Sequence, residues 1–503
     1  MILVNPPAAK PCEPPAGLAQ LAGALEAHGV PHAVVDLALE GPLHLAARPR
    51  AAADTWTRRA VKGVEANLAL LRDPAGYESP ARYARAVKDL DRAVATAAPG
   101  GYAVSLANLS HVTRSPLASD DLLHSAAHPG EDPFFGAFAD RLTIAVERCA
   151  RPVVGVSITY LSQALSAFAI IGFLRRAFPG ITIAAGGGLV TSWMSRADLA
   201  ATFSGLVDRF VSGPGEDAIL DLAGVPAARR SPRCAPAFSG FPLDGYLAPG
   251  FVLPYAASRG CWWARCRFCP ERAERGAYAA VPVDLAREHL RRLVARHDPA
   301  LIHFADNALP PSMLRSLAGY PPGAPWYGFA RVTDDLADPR FCRDLAASGC
   351  RLLKIGVESG SDRVLAGMQK GFDAALSSAA LRCLRDAGIP TYVYLLFGTP
   401  HEREADARET LAFVAAHADC ITFLNLAVFN MPVHGPDAEG LATAPFYEGD
   451  LSLYTGFAHP GGWGRREVKR FLDRELRRHP AIAPIVRRDP PIFTSNHAPF
   501  FAR

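Results

Sequence analysis

Ser258-Arg-Gly-Cys261-Trp-Trp-Ala-Arg-Cys266-Arg-Phe-Cys269-Pro270 places three cysteines within nine residues. Thiolates this close together wrap a single soft metal centre. Three of them hold three irons of a [4Fe–4S] cluster and leave the fourth iron open to a small ligand, where four would close it. A structural zinc is the competing reading. It needs a fourth ligand, and no second Cys or His pair follows at ordinary spacing; the next histidine is His289, in a stretch of helical pattern.

The cysteines follow an apolar run, FVLPYAAS (251–258), that opens a series: ALIHFAD (300–306), PWYGFARV (325–332), RLLKIGVES (351–359), IPTYVYLLFG (389–398) and ADCITFLNLAVF (418–429). Helical patterns lie between most of them. About six β/α units predict a partial (β/α)6, TIM-like barrel over 250–430, open rather than closed by eight. Active sites of such barrels lie at the C-terminal ends of the strands, where the cysteines fall.

Upstream, MILVNPP (1–7), AGLAQLAGALEAHG (16–29) and AVVDLAL (33–39) read as strand, helix, strand, with Gly29 where a helix C-cap belongs. The alternation resumes with VVGVSI (153–158), a helix over 164–177, ITIAAGGG (181–188) and DRFVSGPGEDAILDLAG (208–224). Strands alternating with helices predict an α/β fold with a doubly wound, Rossmann-like sheet over 1–225. An Ala-, Arg- and Leu-rich helical insertion interrupts it at about 41–150. The Pro-, Ala- and Arg-rich stretch 226–249 reads as a linker. A small C-terminal region, 431–503, holds a basic helix from Arg465 to Arg478 and a tail, TSNHAPFF (494–501). That tail reads as a packed or mobile tail rather than as a lid presenting Asn496 and His497 to a substrate. Tyr392 and Tyr394 read as packing residues.

Half of the 503 residues are hydrophobic and a fifth are charged, which suits parallel strands covered on both faces. The formal charge of +4 is scattered, so neither nucleic acid nor a membrane is indicated as a partner. Pro152 to Leu174 lacks charge, but Pro152, Gly155, Ser157, Thr159, Ser162, Gln163 and Ser166 favour a buried strand and helix over a membrane span. No basic segment precedes the apolar N-terminus, and the other seven of the ten cysteines are scattered, so a cytoplasmic protein without a disulfide scaffold is expected.

Ser258 to Pro270, with Phe268 before the last cysteine, resembles the cluster loop of radical S-adenosylmethionine (SAM) enzymes. It departs from the family in its first gap, four residues where three is commonest; the extra residue has to be absorbed around Trp262-Trp263. The resemblance implies that Cys261, Cys266 and Cys269 bind the cluster and that SAM chelates the open iron. It further implies that Phe268, Asp306, Arg331, Glu358, Gly398, Pro400 and Asn425 surround SAM. A zwitterionic ligand needs several convergent polar groups at one mouth. Taken singly, Asp306 and Glu358 also read as helix N-caps or first-turn acids, and Gly398-Thr-Pro400-His-Glu402 as an ordinary turn.

The upstream order of motifs, followed by such a barrel, resembles the cobalamin-binding domain of one radical SAM subgroup. That likeness implies cobalamin contacts from Asn5, Ser157, Thr159, Gly186, Gly187, Gly188, Gly213 and Glu216. Glycines after a strand admit close backbone approach to a bulky ligand, although they also simply turn a chain. The Asp-x-His-x-x-Gly motif of other cobalamin domains is missing: Asp36-Leu-Ala-Leu has no histidine two residues on. The subgroup implies methylation of an unactivated carbon in a small-molecule or peptide substrate, with an electron donor such as flavodoxin or ferredoxin. A cobalamin-dependent cyclase or rearranging enzyme, and a sensor with a structural cluster, are the alternatives.

Overall fold

In the computed structural model, five strands form one parallel sheet in the first unit. They are β1 (Ile2–Asn5), β2 (Ala33–Asp36), β5 (Val153–Ser157), β6 (Thr182–Gly186) and β7 (Arg209–Phe210); a hairpin of β3 (Tyr102–Val104) and β4 (Leu109–His111) lies apart from them. The structure describes residues 1–48, 54–149, 152–231, 233–491 and 497–502. The sheet order β2-β1-β5-β6-β7 puts the reversal of winding between β1 and β5. In open parallel sheets the crevice for a ligand opens at that reversal, outside the C-terminal strand ends. Ile2, Leu3 and Val4 are all buried, as a strand covered on both faces requires.

Between β2 and β5 the chain is mainly helical, with helices Leu37–Ala46, Thr55–Lys62, Val64–Arg72, Pro80–Ala97, Ser119–Ala127 and Phe135–Glu147. The uncharged stretch after Pro152 is β5 followed by the helix Leu161–Ala177, and among the described residues no helix is long and apolar enough to cross a membrane.

The stretch 226–249 is not a free linker. Ala237 N donates to Ala19 O at 2.9 Å and Leu247 N to Pro11 O at 2.8 Å. Phe238, Phe241, Tyr246 and Leu247 are buried. A Cβ on Gly23 would lie 2.0 Å from Ala235 O, so the helix Ala16–Ala27 needs glycine where this strap crosses it. Its composition lacks any period and therefore reads as a tether, yet isolated aromatic anchors bind it along the first unit.

The second unit holds residues 253–446 and 454–490 with the described part of the C-terminal tail. Its six-stranded sheet runs β8 (Val252–Tyr255), β11 (Leu301–Phe304), β12 (Trp326–Ala330), β13 (Cys350–Glu358), β14 (Thr391–Phe397), β15 (Phe423–Val428). A two-stranded clasp of β9 (Ser258–Arg259) and β10 (Ala279–Ala280) follows β8. Strands adjacent in sequence are adjacent in space, and β11 through β15 pair in parallel, so the sheet is the open barrel of six units. His497 stacks on Tyr392 with ring centroids 4.7 Å apart and meets Phe423 edge-on at 4.5 Å. Tyr392 and Phe423 begin their strands, so this part of the tail packs at the end opposite the cysteines; Asn496 lies outside the described residues.

Close backbone approach in the first unit yields a direct test. A Cβ on Gly172, in the helix Leu161–Ala177, would sit 1.9 Å from Ala126 O on the neighbouring helix. Gly172→Ala should therefore lower the urea midpoint of the first unit by an amount equivalent to about 1–3 kcal/mol, and an unchanged midpoint would contradict the packing described.

Candidate functional site

The cysteine loop is held from outside by two devices. Asp306, just past β11, accepts from Ala257 N at 3.0 Å and from Ser258 Oγ at 2.5 Å. It is 3% exposed, and burial raises its carboxyl to about 6. Asp306 thus braces the loop through both of its carboxylate oxygens and caps no helix. The second device is the segment 368–371. Met368 O accepts from Arg267 N at 3.0 Å, and Gln369 O accepts from Trp263 Nε1 at 3.0 Å. Gly371, with φ +72°, leaves room for the Trp263 ring, which a Cβ would meet at 2.2 Å.

Within the loop, Ala264 adopts φ +48°, a left-handed residue inside the long first gap. Cys269 N donates to Cys266 O at 3.3 Å, and Cys269 starts the short helix Pro270–Ala273. Arg267 Nε donates to Asp437 Oδ1 at 2.6 Å, tying the loop to the C-terminal region. Cys261, Cys266 and Cys269 are all free and half-exposed, whereas Cys342 and Cys350 are buried. Burial pushes the Cys269 thiol up to about 11, so a proton must leave when a metal is bound. Among the described residues, the ligand trio that closes to within 4.8 Å lies elsewhere, at His124, His128 and Glu131.

Around this mouth the other strand ends contribute polar groups. Arg331, following β12, lies with Cζ 4.0 Å from the Trp263 ring centroid and Nη1 3.8 Å from Cys266 Sγ. Glu358 ends β13 at a bulge, with φ +65°, and pairs with Lys370 Nζ at 3.2 Å. A left-handed glutamate costs about 1–2 kcal/mol, which the surrounding structure must offset. Lys370 Nζ also lies 5.6 Å from the Phe268 ring and 5.2 Å from Phe372. Gly398, after β14, takes φ +81° and donates its N–H to Glu402 Oε2 at 2.5 Å, which also accepts from Trp463 Nε1 at 2.9 Å. Pro400 lies in the turn that these two bonds close. Asn425 sits inside β15, level with Tyr394, deeper than the strand ends. Four buried polar atoms here lack a partner among the described residues: Trp262 Nε1, Arg331 Nη2, Thr399 Oγ1 and Glu402 Oε1. Buried polar groups are rarely left so, and their gathering at one mouth fits a polar ligand.

In the first unit, Asn5, Ser157, Thr159, Gly186–Gly188 and Gly213 all fall at the C-terminal ends of β1, β5, β6 and β7. Gln163 closes the reversal point: its Nε2 donates to Asn5 Oδ1 at 3.0 Å and Pro6 O at 2.9 Å, and its Oε1 accepts from Thr159 N at 2.9 Å. Asn5 Nδ2 donates to Asp36 Oδ1 at 2.8 Å, and Tyr246 Oη to Asp36 Oδ2 at 2.6 Å. Burial raises the Asp36 carboxyl while these bonds hold it down. Gly187, at φ +103°, is required by the chain itself, since a Cβ would meet Ile158 O at 2.5 Å. Gly186 and Gly188 have ordinary room, so the close approach is to Ile158 at one position only. Gly213 N donates to Thr191 Oγ1 at 2.9 Å, and Glu216 opens the helix Glu216–Leu222. Gln163, Asp36, Tyr246 and Lys370 were not legible as site residues, because no fixed spacing links them to the motifs.

Residues 255–414 match the Radical SAM superfamily model. No curated protein matches the chain in sequence. Among solved structures, the radical SAM methyltransferase TsrM from Kitasatospora setae, with cobalamin and a [4Fe–4S] cluster bound, superposes with TM-score 0.55 at 17% identity, over 92% of this chain and 84% of that one. TsrM with tryptophan substrate and the SAM analogue aza-SAM gives 0.54 at 18%, over 87% and 74%. The cobalamin-dependent SAM radical enzyme OxsB, with aqua-cobalamin and SAM, gives 0.43 at 18% over 55% of this chain, which spans 45% of OxsB. At these identities the likeness is one of fold.

Two outcomes follow from this geometry. Changing Cys261, Cys266 and Cys269 together to Ala should abolish iron and sulfide uptake on anaerobic reconstitution, while changing Cys342, Cys350 and Cys383 should not; full uptake by the first variant would contradict the assignment. Glu402 is 1% exposed and raised by burial from 4.5 to about 7. Its protonated form is therefore the one folding favours. That stabilisation is complete below about pH 4.5 and lost as pH rises through 7, a change of about 3 kcal/mol. Glu402→Gln, neutral throughout, should gain stability relative to the parent between pH 5 and pH 8 in urea titrations; parallel curves would contradict the burial.

Proposed function

We propose that this protein, in which residues 255–414 form a radical SAM domain, binds a [4Fe–4S] cluster, SAM and cobalamin and methylates an unactivated carbon of a small-molecule or peptide natural product. The observation that carries this reading is the pairing of the three half-exposed cysteines of one loop with an upstream parallel sheet, in a fold shared with TsrM over 92% of the chain. When bound, the cluster supplies the electron that cleaves SAM, and the cobalamin supplies a transferable methyl group.

The residues present fit those groups. Cys261, Cys266 and Cys269 hold three corners of the cluster and leave one for SAM. Arg331 Nη2 and Trp262 Nε1 are buried donors in need of an acceptor, as a carboxylate or ribose oxygen provides. Glu358 is the acid on the rim that meets an ammonium, and Lys370 holds it in place. Trp262, Trp263, Phe268 and Phe372 keep water from the site. In the first unit, the ends of β1, β5, β6 and β7 offer the crevice for cobalamin, with Asn5, Ser157, Thr159, Gly186, Gly188, Gly213 and Glu216 at its border. Position 38, two residues after Asp36, is alanine, so no histidine there would hold the cobalt. A one-electron donor such as flavodoxin or ferredoxin, in the cytoplasm, belongs to this reading.

SAM carrying a deuterated methyl group separates methylation from cyclisation or rearrangement. Methylation predicts intact label in the product, with 5′-deoxyadenosine and S-adenosylhomocysteine released in equal amounts. Unlabelled product, with deoxyadenosine but no S-adenosylhomocysteine, would replace methyl transfer by a rearranging reaction.

A further inference from the structure

We propose that His124, His128 and Glu131, in the insertion of the first unit, form a site for a divalent transition metal of the zinc class, separate from the cysteine loop. His124 lies in the last turn of the helix Ser119–Ala127 and His128 caps it, four residues on, so both imidazoles stand on one face. Their rings stack with centroids 4.3 Å apart, and the 3-10 turn Pro129–Glu131 brings the carboxylate back to them. His124 Nε2 is 3.2 Å from Glu131 Oε2, and one ligand atom from each of the three residues lies within 4.8 Å of the other two. Nitrogen and oxygen ligands about 2.0–2.1 Å from zinc stand about 3.4 Å apart, so a small rotation of exposed side chains closes the site.

The surroundings prepare these groups for a metal. His128 Nδ1 lies 3.0 Å from His124 O; a proton on Nδ1 donates there and leaves Nε2 as the ligand atom. Such a bond to the far ring nitrogen fixes the tautomer a metal requires. Arg114 Nη2 donates to Glu131 Oε2 at 2.5 Å while its Nη1 donates to Tyr102 Oη at 3.1 Å. The guanidinium thereby orients the carboxylate, whose Oε2 is the oxygen facing His124 Nε2. Nearby His111 is turned away, because its Nδ1 accepts from Thr113 N at 3.2 Å and Arg114 N at 3.1 Å. Two imidazoles and one carboxylate, with the remaining position for water, suit Zn(II), Co(II) or Ni(II) better than the hard cations Mg(II) or Ca(II). A bound ion would tie the end of the helix to the following turn.

The test uses the full chain with its cluster assembled, so that the cysteines are occupied. Dialysis against Zn(II) should leave one equivalent per chain, and zinc X-ray absorption should give a shell of nitrogen and oxygen only, near about 2.0 Å. His128→Ala and Glu131→Gln should each weaken zinc binding at least about tenfold, as loss of a ligand demands, with iron and sulfide content unchanged. Circular dichroism of the variants checks that the exposed substitutions leave the helix intact. A sulfur shell near about 2.3 Å, no retained zinc, or retention undiminished in a folded His124→Ala/His128→Ala variant would overturn the proposal.

Discussion

Asp306 holds the cysteine loop with both carboxylate oxygens, on Ala257 N and Ser258 Oγ, and the rest of the barrel mouth depends on that grip. Three thiols have to face one centre while staying accessible to it, so the loop cannot be fixed by burying the cysteines. It is fixed instead at its edges: by the clasp of β9 and β10, by Asp306, and by the backbone of Met368 and Gln369. Trp263 passes that constraint onward, packing over Gly371 on one side and under Arg331 on the other. Arg331 in turn reaches Cys266, so cluster loop and rim are one assembly.

The first unit solves a similar problem with a buried polar chain. Tyr246, Asp36, Asn5 and Gln163 link the strap 226–249 to the ends of β1 and β2 and to the loop after β5. Each member is satisfied by the next, which is the condition under which a buried network rigidifies a fold. Asp36 is held on both carboxylate oxygens, by Asn5 and Tyr246, so its carboxylate serves the protein itself. The glycine run after β6 is likewise partly internal, since Gly187 answers to Ile158 O.

What the sequence made legible were features with a period or a spacing. The six apolar runs of the barrel and the strands of the first sheet announce themselves by length and alternation, and the cysteines by proximity. The strap 226–249 was misread because burial there rests on separate anchors, Phe238, Phe241 and Tyr246, with no repeat between them. Asp306 was placed correctly at a strand end, but its hold on the cysteine loop was not legible, because only folding brings Ser258 back beside it. Lys370 was missed because it reaches Glu358 from beyond the short helix Asp362–Gly367, at a spacing no motif fixes. Asn425 was recognised as a barrel residue, but its depth depends on register with Tyr394, which no motif encodes.

The claim that one chain carries two redox cofactors is tested most directly by anaerobic reconstitution with iron, sulfide and cobalamin, followed by analysis of all three in the gel-filtered protein and of SAM cleavage by the same sample. The account predicts iron and sulfide matching one [4Fe–4S] cluster per chain, one bound cobalamin, and reductant-dependent release of 5′-deoxyadenosine. A chain that retains a cluster but no cobalamin, or that holds zinc on its cysteines and leaves SAM intact, would contradict it.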